Sequence, residues 1–294
     1  MQAKRGLPAV GGAILCAAML MGASADAIAQ DKSGYSLLHP TPDGQLREMT
    51  TDRPDTTESP FTVDAGRLQV ETNVIGFTRS RPDATGAVSD TYEFATTNVR
   101  LGLTERVEVN VVWQPYGLMR TRQRGLATLK DDGIGGLDLR AKLNLWGNDT
   151  FDKTRSALAL LPYVSLPTDR HNGISPEFVE SGLIVPLALK LTDKLGLGLN
   201  GGVSWLRSDA ASSYHTEYLA SASFAYAWTD KLGTYYEVAA RFNVDDPCCG
   251  EAVVLGTGVT YTLAENLQFD AGVNVGVTSA TDRINPFIGL SRRF

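Results

Sequence analysis

Histidines are the first residues to consider for chemistry, because an imidazole can act as a general base near neutral pH. The chain contains three of them, His39, His171 and His215. A hydrolase can pair a histidine with a serine two residues further on, but none of the three has a serine at that distance. His215 and Glu217 could form a base and its orienting carboxylate, although the sequence ties no nucleophile to them. We therefore expect loop or rim histidines and no catalytic residue, and keep His215 and Glu217 as the pair that an enzyme would use.

A literal GxGxxG motif, GLGLNG, occupies residues 196–201. A dinucleotide site requires a strand before this motif and a helix after it. Here leucines alternate through the motif, which places it inside a strand, where the glycines relieve crowding on the inner face. The sequence therefore predicts no nucleotide site and no bound cofactor.

Two cysteines, Cys248 and Cys249, are adjacent in DDPCCGE. Metal sites built on cysteine need a neighbouring histidine or a second cysteine pair, and neither lies nearby. In an oxidising compartment the two thiols could close a vicinal disulfide or remain free, and the sequence leaves that choice open. We expect no metal site.

The N-terminus has the pattern of a secretory signal peptide. Lys4 and Arg5 precede an apolar stretch over residues 7–21, and small residues follow up to Ala29. This pattern predicts a signal peptide over residues 1–29, removed on export. No later window holds about 18 consecutive apolar residues, so no transmembrane helix is expected.

The net charge of −6 argues against nucleic acid as a partner, because phosphate binding requires a basic surface.

From residue 66 to residue 294 the chain repeats segments in which alternate positions are apolar. A period of two residues predicts β-strands with one apolar face and one polar face. The segment GLDLRAKLNLW, residues 136–146, shows this best. Its two faces are Leu137, Leu139, Ala141, Leu143 and Leu145 on one side, and Asp138, Arg140, Lys142 and Asn144 on the other.

Twelve such segments follow one another, and their connections alternate in length. The segments begin near residues 67, 91, 107, 136, 155, 182, 195, 214, 232, 251, 267 and 284. Tight connections lie at 104–106, 192–194, 229–231 and 264–266, and longer polar ones at 79–90, 115–135, 168–181, 206–213, 245–250 and 278–283. Only the connection at 147–154 departs from this rule, being longer than the other tight ones.

The alternation of loop lengths distinguishes two all-β architectures. A soluble β-sandwich gives no reason for it. A transmembrane barrel has short periplasmic turns, longer outer loops and an even strand number. We therefore predict an all-β, transmembrane, antiparallel up-and-down β-barrel of about 12 strands in the bacterial outer membrane. The barrel is expected over residues 66–294, after a periplasmic or lumen-inserted segment over residues 30–65.

Aromatic residues and the C-terminus support the barrel. Trp113, Trp205 and Trp228 fall at strand ends on the apolar parity, as in an aromatic girdle at the lipid headgroups, although core packing would also account for them. The terminal INPFIGLSRRF ends in Phe294 and resembles the strand signal read by the outer-membrane assembly machinery. Expected partners are therefore this machinery, outer-membrane lipid with lipopolysaccharide, and a small solute.

The inner parity collects charged residues that cannot face lipid cheaply and must line a lumen. They could form a wetted conduit or a salt-bridged plug of side chains. In the loop at 115–135, Arg120, Arg122, Arg124 and Lys130 could meet lipopolysaccharide phosphates or simply be solvated. The lumen-lining candidates are Arg100, Glu108, Asp138, Arg140, Lys142, Glu237, Arg241 and Asp270.

Two motifs carry a resemblance to a known family. They are TDRPDTTESPFTVDAGRLQVETNV at residues 51–74 and GIGGLDLRAKLNLWG at residues 133–147. With the whole-chain layout, they make residues 50–294 resemble the outer-membrane transporter family named for the meta-cleavage (MetA) pathway of phenol degradation. The resemblance implies passage of small, often aromatic or hydrophobic, compounds across the outer membrane.

The resemblance also suggests a role for the polar segment before the first strand. Asp52, Arg53, Asp55 and Glu58 could enter the lumen as a plug, pairing with inward charges such as Arg140, Lys142, Glu237 and Arg241. The alternative is a periplasmic tether without partners. For the whole protein we expect passive transport without a chemical step. The alternatives are a lipid-modifying enzyme on the same barrel, and a non-transporting envelope or adhesion barrel.

Overall fold

The computed structural model describes residues 32–169, 173–207, 213–243 and 251–294. The expected signal peptide over residues 1–29, His171, Cys248 and Cys249 lie outside the described residues. Among the described residues, no helix is long and apolar enough to cross a membrane.

The strands of the described chain form one antiparallel sheet that closes on itself. Closure occurs because β1 pairs with β2 on one side and with β14 on the other. A 3-10 helix, Asp43–Gln45, precedes β1, and a short helix α1, Phe151–Thr154, follows β6. The strands are β1 (Leu68–Arg79), β2 (Val88–Gly102), β3 (Val107–Trp113), β4 (Tyr116–Arg122), β5 (Leu129–Gly133), β6 (Leu137–Trp146), β7 (Ser156–Leu166), β8 (Glu180–Lys190), β9 (Leu195–Arg207), β10 (Tyr214–Ala227), β11 (Leu232–Asn243), β12 (Ala252–Ala264), β13 (Leu267–Gly276) and β14 (Ile284–Arg293).

Twelve of these strands form the barrel wall, in the order β1, β2, β3 and then β6 to β14. Neighbouring strands are joined up and down, and the predicted twelve-stranded up-and-down barrel is confirmed. The tight connections share one end of the barrel, called here the turn end. The strand ends that flank the longer connections share the other, called the loop end.

The remaining two strands, β4 and β5, form a hairpin at the loop end. β2 is 15 residues long and pairs with β3 through Thr97–Gly102 and with β4 through Val88–Phe94. The prediction of a loop over residues 115–135 was therefore wrong. The sequence does not predict this hairpin because its charged residues show no period-two apolar pattern. They need none, since main-chain pairing to the long β2 holds the hairpin in place.

The long connection at 147–154 contains α1, whose Phe151 packs edge-on against Phe61 with ring centroids 5.0 Å apart. This contact accounts for the departure from the tight connections at the same end. Phe61 belongs to the N-terminal segment that precedes the barrel, so the extra residues here bring the connection into contact with that segment.

Burial is inverted relative to a soluble domain. Arg100, Glu108 and Lys142 are 0% exposed, whereas the neighbouring Leu139 and Leu143 are 46% and 41% exposed. Apolar side chains point outward on strand after strand, and charged ones point into the enclosed space. A large apolar exterior around a polar lumen is the arrangement that lipid favours, because lipid cannot solvate charge.

Candidate functional site

The N-terminal segment contributes a stretch, residues 50–60, that contacts the inner wall of the barrel and is called here the strap. Asp52 accepts hydrogen bonds from Lys142 Nζ at 2.7 and 2.8 Å. Arg100 Nη1 lies 3.3 Å from Asp52 Oδ2. The Asp52 backbone N–H donates to the Glu71 carboxylate at 3.0 Å. The strap is thereby joined to β1, β2 and β6 at one residue.

Arg100 extends this contact into a buried network. Its Nε and Nη2 each donate to Glu108 at 3.0 Å, and its Nη1 donates to Glu71 at 2.8 Å. Nη2 also donates to the Phe61 carbonyl at 2.9 Å. Such a network is stabilising only when each member is satisfied, since an unpaired buried charge is penalised heavily. Main-chain groups of the N-terminal segment complete it.

Arg53 forms a second attachment, to β13 and β14, which follow β1 in the closed sheet. Its Nη2 lies 2.8 Å from Asp270 Oδ1 on β13, and its guanidinium carbon lies 5.5 Å from the centre of the Phe287 ring. Gly289 on β14 provides the space, because a Cβ there would collide with the Arg53 guanidinium. The absence of a side chain at residue 289 is therefore part of the attachment.

The second half of the strap contacts β6, β9 and β11. Thr56 donates to Glu237 Oε2 from its N–H at 3.1 Å and from its hydroxyl at 2.8 Å. Glu58 Oε1 lies 2.8 Å from Arg140 Nη1. Asn200 clamps the same residue, accepting from the Glu58 N–H at 2.6 Å and donating to the Glu58 carbonyl at 3.0 Å. The strap is thus held from several sides of the lumen.

Asp55 sits in the strap beside Glu237. Burial, and after it the charge of Glu237, raise the pKa of the Asp55 carboxyl from its ordinary 3.8 to about 7. Asp52 behaves in the opposite way. Burial acts to raise its pKa, but Arg100 and Lys142 together hold the pKa below its ordinary value. Asp52 is therefore firmly ionised, whereas Asp55 changes charge near neutral pH.

The structure brings most of the predicted site residues together. Arg100, Arg140, Lys142, Glu237 and Asp270 contact the strap. Glu108 accepts from the Val63 N–H at 2.6 Å, just beyond the strap, and Asp138 contacts Arg140 at 2.6 Å. Of the strap residues, Asp52, Arg53 and Glu58 form ion pairs with the wall.

Arg241 is the exception, and its expected pairing with the strap was wrong. Its side chain is 68% exposed and lies 3.9 Å from Glu217. Arg241 follows Glu237 by four residues on β11, which moves it about 13 Å towards the loop end. Period two predicted its face correctly but says nothing of its height in the lumen. The Glu217 carboxylate, which an enzyme would need beside His215, thus has this arginine as a neighbour.

A cluster around Asp64 was missed by sequence reasoning. Asp64 lies 3.0 Å from Arg47 Nε, 3.4 Å from Lys32 and 3.5 Å from Arg293. Arg47 also donates to the Glu105 carbonyl at the β2–β3 turn. The cluster fastens residues 32–64 to the turn end of the barrel. No periodic pattern marks residues 32–50, and the partners of Asp64 lie far apart in the sequence, so the cluster could be found only from the fold.

A cavity lies on either side of the strap. The larger, of about 670 Å³, reaches the loop end and is lined by Thr56 and Glu58 of the strap. The smaller, of about 550 Å³, reaches the turn end and is lined by Arg53 and Asp55. The strap therefore separates two spaces inside one barrel.

The wall of the larger cavity differs from side to side. Ile184, Leu219 and Val254 on β8, β10 and β12 give it an aliphatic side. Arg140 and Tyr163 on β6 and β7 give it a polar side, with the guanidinium carbon 6.0 Å from the ring centre. Such a cavity can contact an apolar body and a polar group of the same small molecule. Within the described ranges, no group of His, Cys, Asp and Glu side chains could hold a metal ion.

A closed, twelve-stranded, antiparallel barrel with an apolar exterior and a charged interior defines the class of outer-membrane β-barrels. Within that class, the chain belongs to the family described as "Putative MetA-pathway of phenol degradation", whose model matches residues 51–294. The match begins in the strap and extends to Phe294. The predicted family membership is confirmed. No curated protein gives a match to this chain.

Solved structures of similar fold are outer-membrane barrels. The transport unit of the autotransporter AIDA-I from Escherichia coli has a TM-score of 0.50 at 10% identity, covering 78% of this chain and 90% of that chain. The translocator domain of autotransporter NalP from Neisseria meningitidis has a TM-score of 0.46 at 11% identity, covering 78% and 88%. A mutant of the TodX monoaromatic hydrocarbon channel has a TM-score of 0.43 at 9% identity, covering 78% and 90%. The AIDA-I likeness supports the fold alone.

Proposed function

We propose that this protein is an outer-membrane channel through which a small solute passes passively, and that the strap narrows its lumen. The observation that carries the proposal is the strap itself, fixed between a cavity of about 670 Å³ and one of about 550 Å³ inside the same barrel. A solute moving through the lumen would have to pass the strap. The chain would be exported with residues 1–29 as its signal peptide, and transport would need no chemical step and no cofactor.

The solute class follows from the larger cavity and from the family. One side of the cavity is aliphatic, and the other presents Arg140, Tyr163 and Ser204. A small molecule with an apolar or aromatic body and one polar group would satisfy both sides. Arg140 could pair with a negatively charged group or lie over an aromatic ring. The family description, which concerns phenol degradation, agrees with such a solute.

Liposome swelling with the refolded protein tests this function. We expect swelling with benzoate and with glucose, at a higher rate for benzoate, and none with a trisaccharide. Liposomes without protein provide the background. Swelling no faster than this background for every solute would contradict a channel. Hydrolysis of the liposome lipids by the same preparation, lost in His215→Ala, would instead favour the enzyme alternative.

A further inference from the structure

The outer surface of the barrel carries paired aromatic rings at the loop end of β1, β2 and β4. Phe77 on β1 lies beside Tyr92 on β2, with ring centroids 5.1 Å apart. Phe94 on β2 lies beside Tyr116 on β4, at 5.9 Å. The strand register places these residues on the outward face, alternating with Glu93, which lines the lumen. Aromatic rings in this position mark the level of the lipid headgroups.

Directly beyond these rings lies a group of cations, Arg79, Arg120, Arg122 and Lys130, called here the basic cluster. Arg79 is two residues beyond Phe77, so both occupy the same face of β1. Register pairing continues from Arg79 to Asp90, then to Arg120 on β4 and Lys130 on β5. The β4–β5 hairpin therefore widens the cluster beyond the edge that β1 and β2 alone would provide.

The four cations of the basic cluster outnumber the two acidic residues on the same face, Asp90 and Asp132, of which Asp132 accepts a hydrogen bond from the Tyr116 hydroxyl. Asp90 is buried and pairs with Arg79 at 2.7 Å and also with Arg122. Arg120 lies over the Tyr92 ring, 5.7 Å from its centre. Neither Arg120 nor Lys130 forms an ion pair with an acidic residue in the described part of the chain, and both are exposed. Arg120 and Lys130 thus point outward with no acidic partner in that part of the chain. The Tyr92 ring supports Arg120, and main-chain pairing between β4 and β5 holds both residues in place.

We propose that the basic cluster binds the phosphate groups of an outer-leaflet lipid, lipopolysaccharide being the phosphate-bearing lipid of that leaflet. Guanidinium and ammonium groups form strong charge-assisted hydrogen bonds with phosphate. The cluster faces away from the lumen and stands one step beyond the aromatic rings, which is the height of a headgroup phosphate. The inference rests on the outer-membrane location in the proposed function, but not on transport.

Native mass spectrometry of the refolded barrel in a zwitterionic detergent tests the site. The probes are bisphosphorylated lipid A and the same lipid A with both phosphates removed. We expect the phosphorylated lipid to bind and the dephosphorylated lipid to bind much more weakly. The variant Arg120→Gln/Lys130→Gln should lower the affinity for phosphorylated lipid A by about tenfold or more. This variant leaves Asp90 with Arg79 and Arg122, so the fold keeps its buried pair.

The variant Lys194→Gln/Lys231→Gln is the matched control, because it removes the same charge from exposed turns at the opposite end. It should bind phosphorylated lipid A like the parent. Equal affinity of the parent for both lipids, or an equal loss in the control, would overturn the proposal. Inorganic phosphate binding as tightly as the lipid would overturn the lipid assignment. The binding assay needs no permeation. A barrel that fails to swell liposomes could therefore still bind the lipid, and a barrel that swells liposomes could fail to bind it.

Discussion

Asp52 and Lys142 meet inside the barrel, with both carboxylate oxygens of Asp52 within 2.8 Å of the lysine Nζ. They lie 90 residues apart in the chain, one in the strap and one on β6. Both side chains are almost fully buried. A buried charge that loses its partner is strongly destabilising, so each of these residues depends on the other for its place.

This pair predicts non-additive effects on stability. Asp52→Asn and Lys142→Gln should each lower the free energy of unfolding by about 1–3 kcal/mol, because each leaves a buried charge with weaker partners. The double variant should lose less than the sum of the two. Urea unfolding of the refolded barrel measures all three. The pair Lys190 and Asp193 serves as control because the Asp193 side chain is 93% exposed, and Asp193→Asn should change stability by less than about 0.5 kcal/mol. Strict additivity would mean that Asp52 and Lys142 do not interact.

Gly289 offers a way to displace Arg53 without changing its charge. A Cβ at residue 289 would meet the Arg53 guanidinium, which can swing away because it is the end of a flexible side chain. We therefore expect Gly289→Ala to loosen the strap and raise single-channel conductance in planar bilayers. Gly201→Ala inserts the same methyl group into β9, where no atom lies within 4 Å, and should leave conductance unchanged. A rise of equal size in both variants would argue against displacement of Arg53.

The raised pKa of Asp55 predicts a pH dependence of the strap. Burial first, and Glu237 second, raise the pKa from 3.8 to about 7. The docked strap therefore holds a proton that the released strap would give up, so docking is strongest at low pH and weakens as pH rises towards 7. Conductance should be higher at pH 8 than at pH 5. Asp52 stays ionised across this range because its pKa is lowered.

Burial, and after it the negative charge of Asp52, raise the pKa of Glu58 as well. Glu58 therefore also favours a docked strap at low pH. The variant Asp55→Asn should therefore flatten the change in conductance between pH 5 and pH 8 without abolishing it. A variant with the full pH response of the parent would assign the effect to other groups.

The outward face predicts a depth-dependent penalty for charge. Val238 lies near the middle of β11 and Leu263 near the turn end of β12, and both are exposed. Val238→Arg should make folding into a bilayer less favourable by about 2–4 kcal/mol. Leu263→Arg should make it less favourable by about 0–1 kcal/mol. Denaturant titration in lipid vesicles measures both. Equal, small penalties would mean that the face of β11 does not contact lipid.

Most of the barrel could be predicted because lipid and lumen impose opposite requirements on alternate residues. That pattern locates the strands and sorts residues such as Leu143 and Lys142 onto opposite faces. It does not report height in the barrel, which depends on strand tilt and register, and so Arg241 was paired with the wrong partners. The β4–β5 hairpin carries no such pattern, because main-chain pairing to β2 holds it and its outward face bears cations.

The strap could be picked out by composition but not by partner. A polar stretch with two prolines before the first strand indicates an unusual segment, and its four charged residues suggested a plug. Which wall residue meets each of them follows from the closure of the sheet, which brings β1, β6 and β13 around one lumen. The hydroxyls of Thr56 and Thr57, which bind Glu237, gave no signal, since threonine is also common in strands and turns.

Single-channel conductance of a variant lacking residues 50–60 is the most direct test of the strap as a lumen constriction. The matched control lacks residues 125–128, at the tip of the β4–β5 hairpin, and keeps three residues for the turn between Thr121 and Leu129. We predict that the first deletion raises conductance in planar bilayers well above that of the parent, and that the control conducts like the parent. Unchanged conductance after removal of the strap, in a barrel that refolds and inserts, would contradict the account.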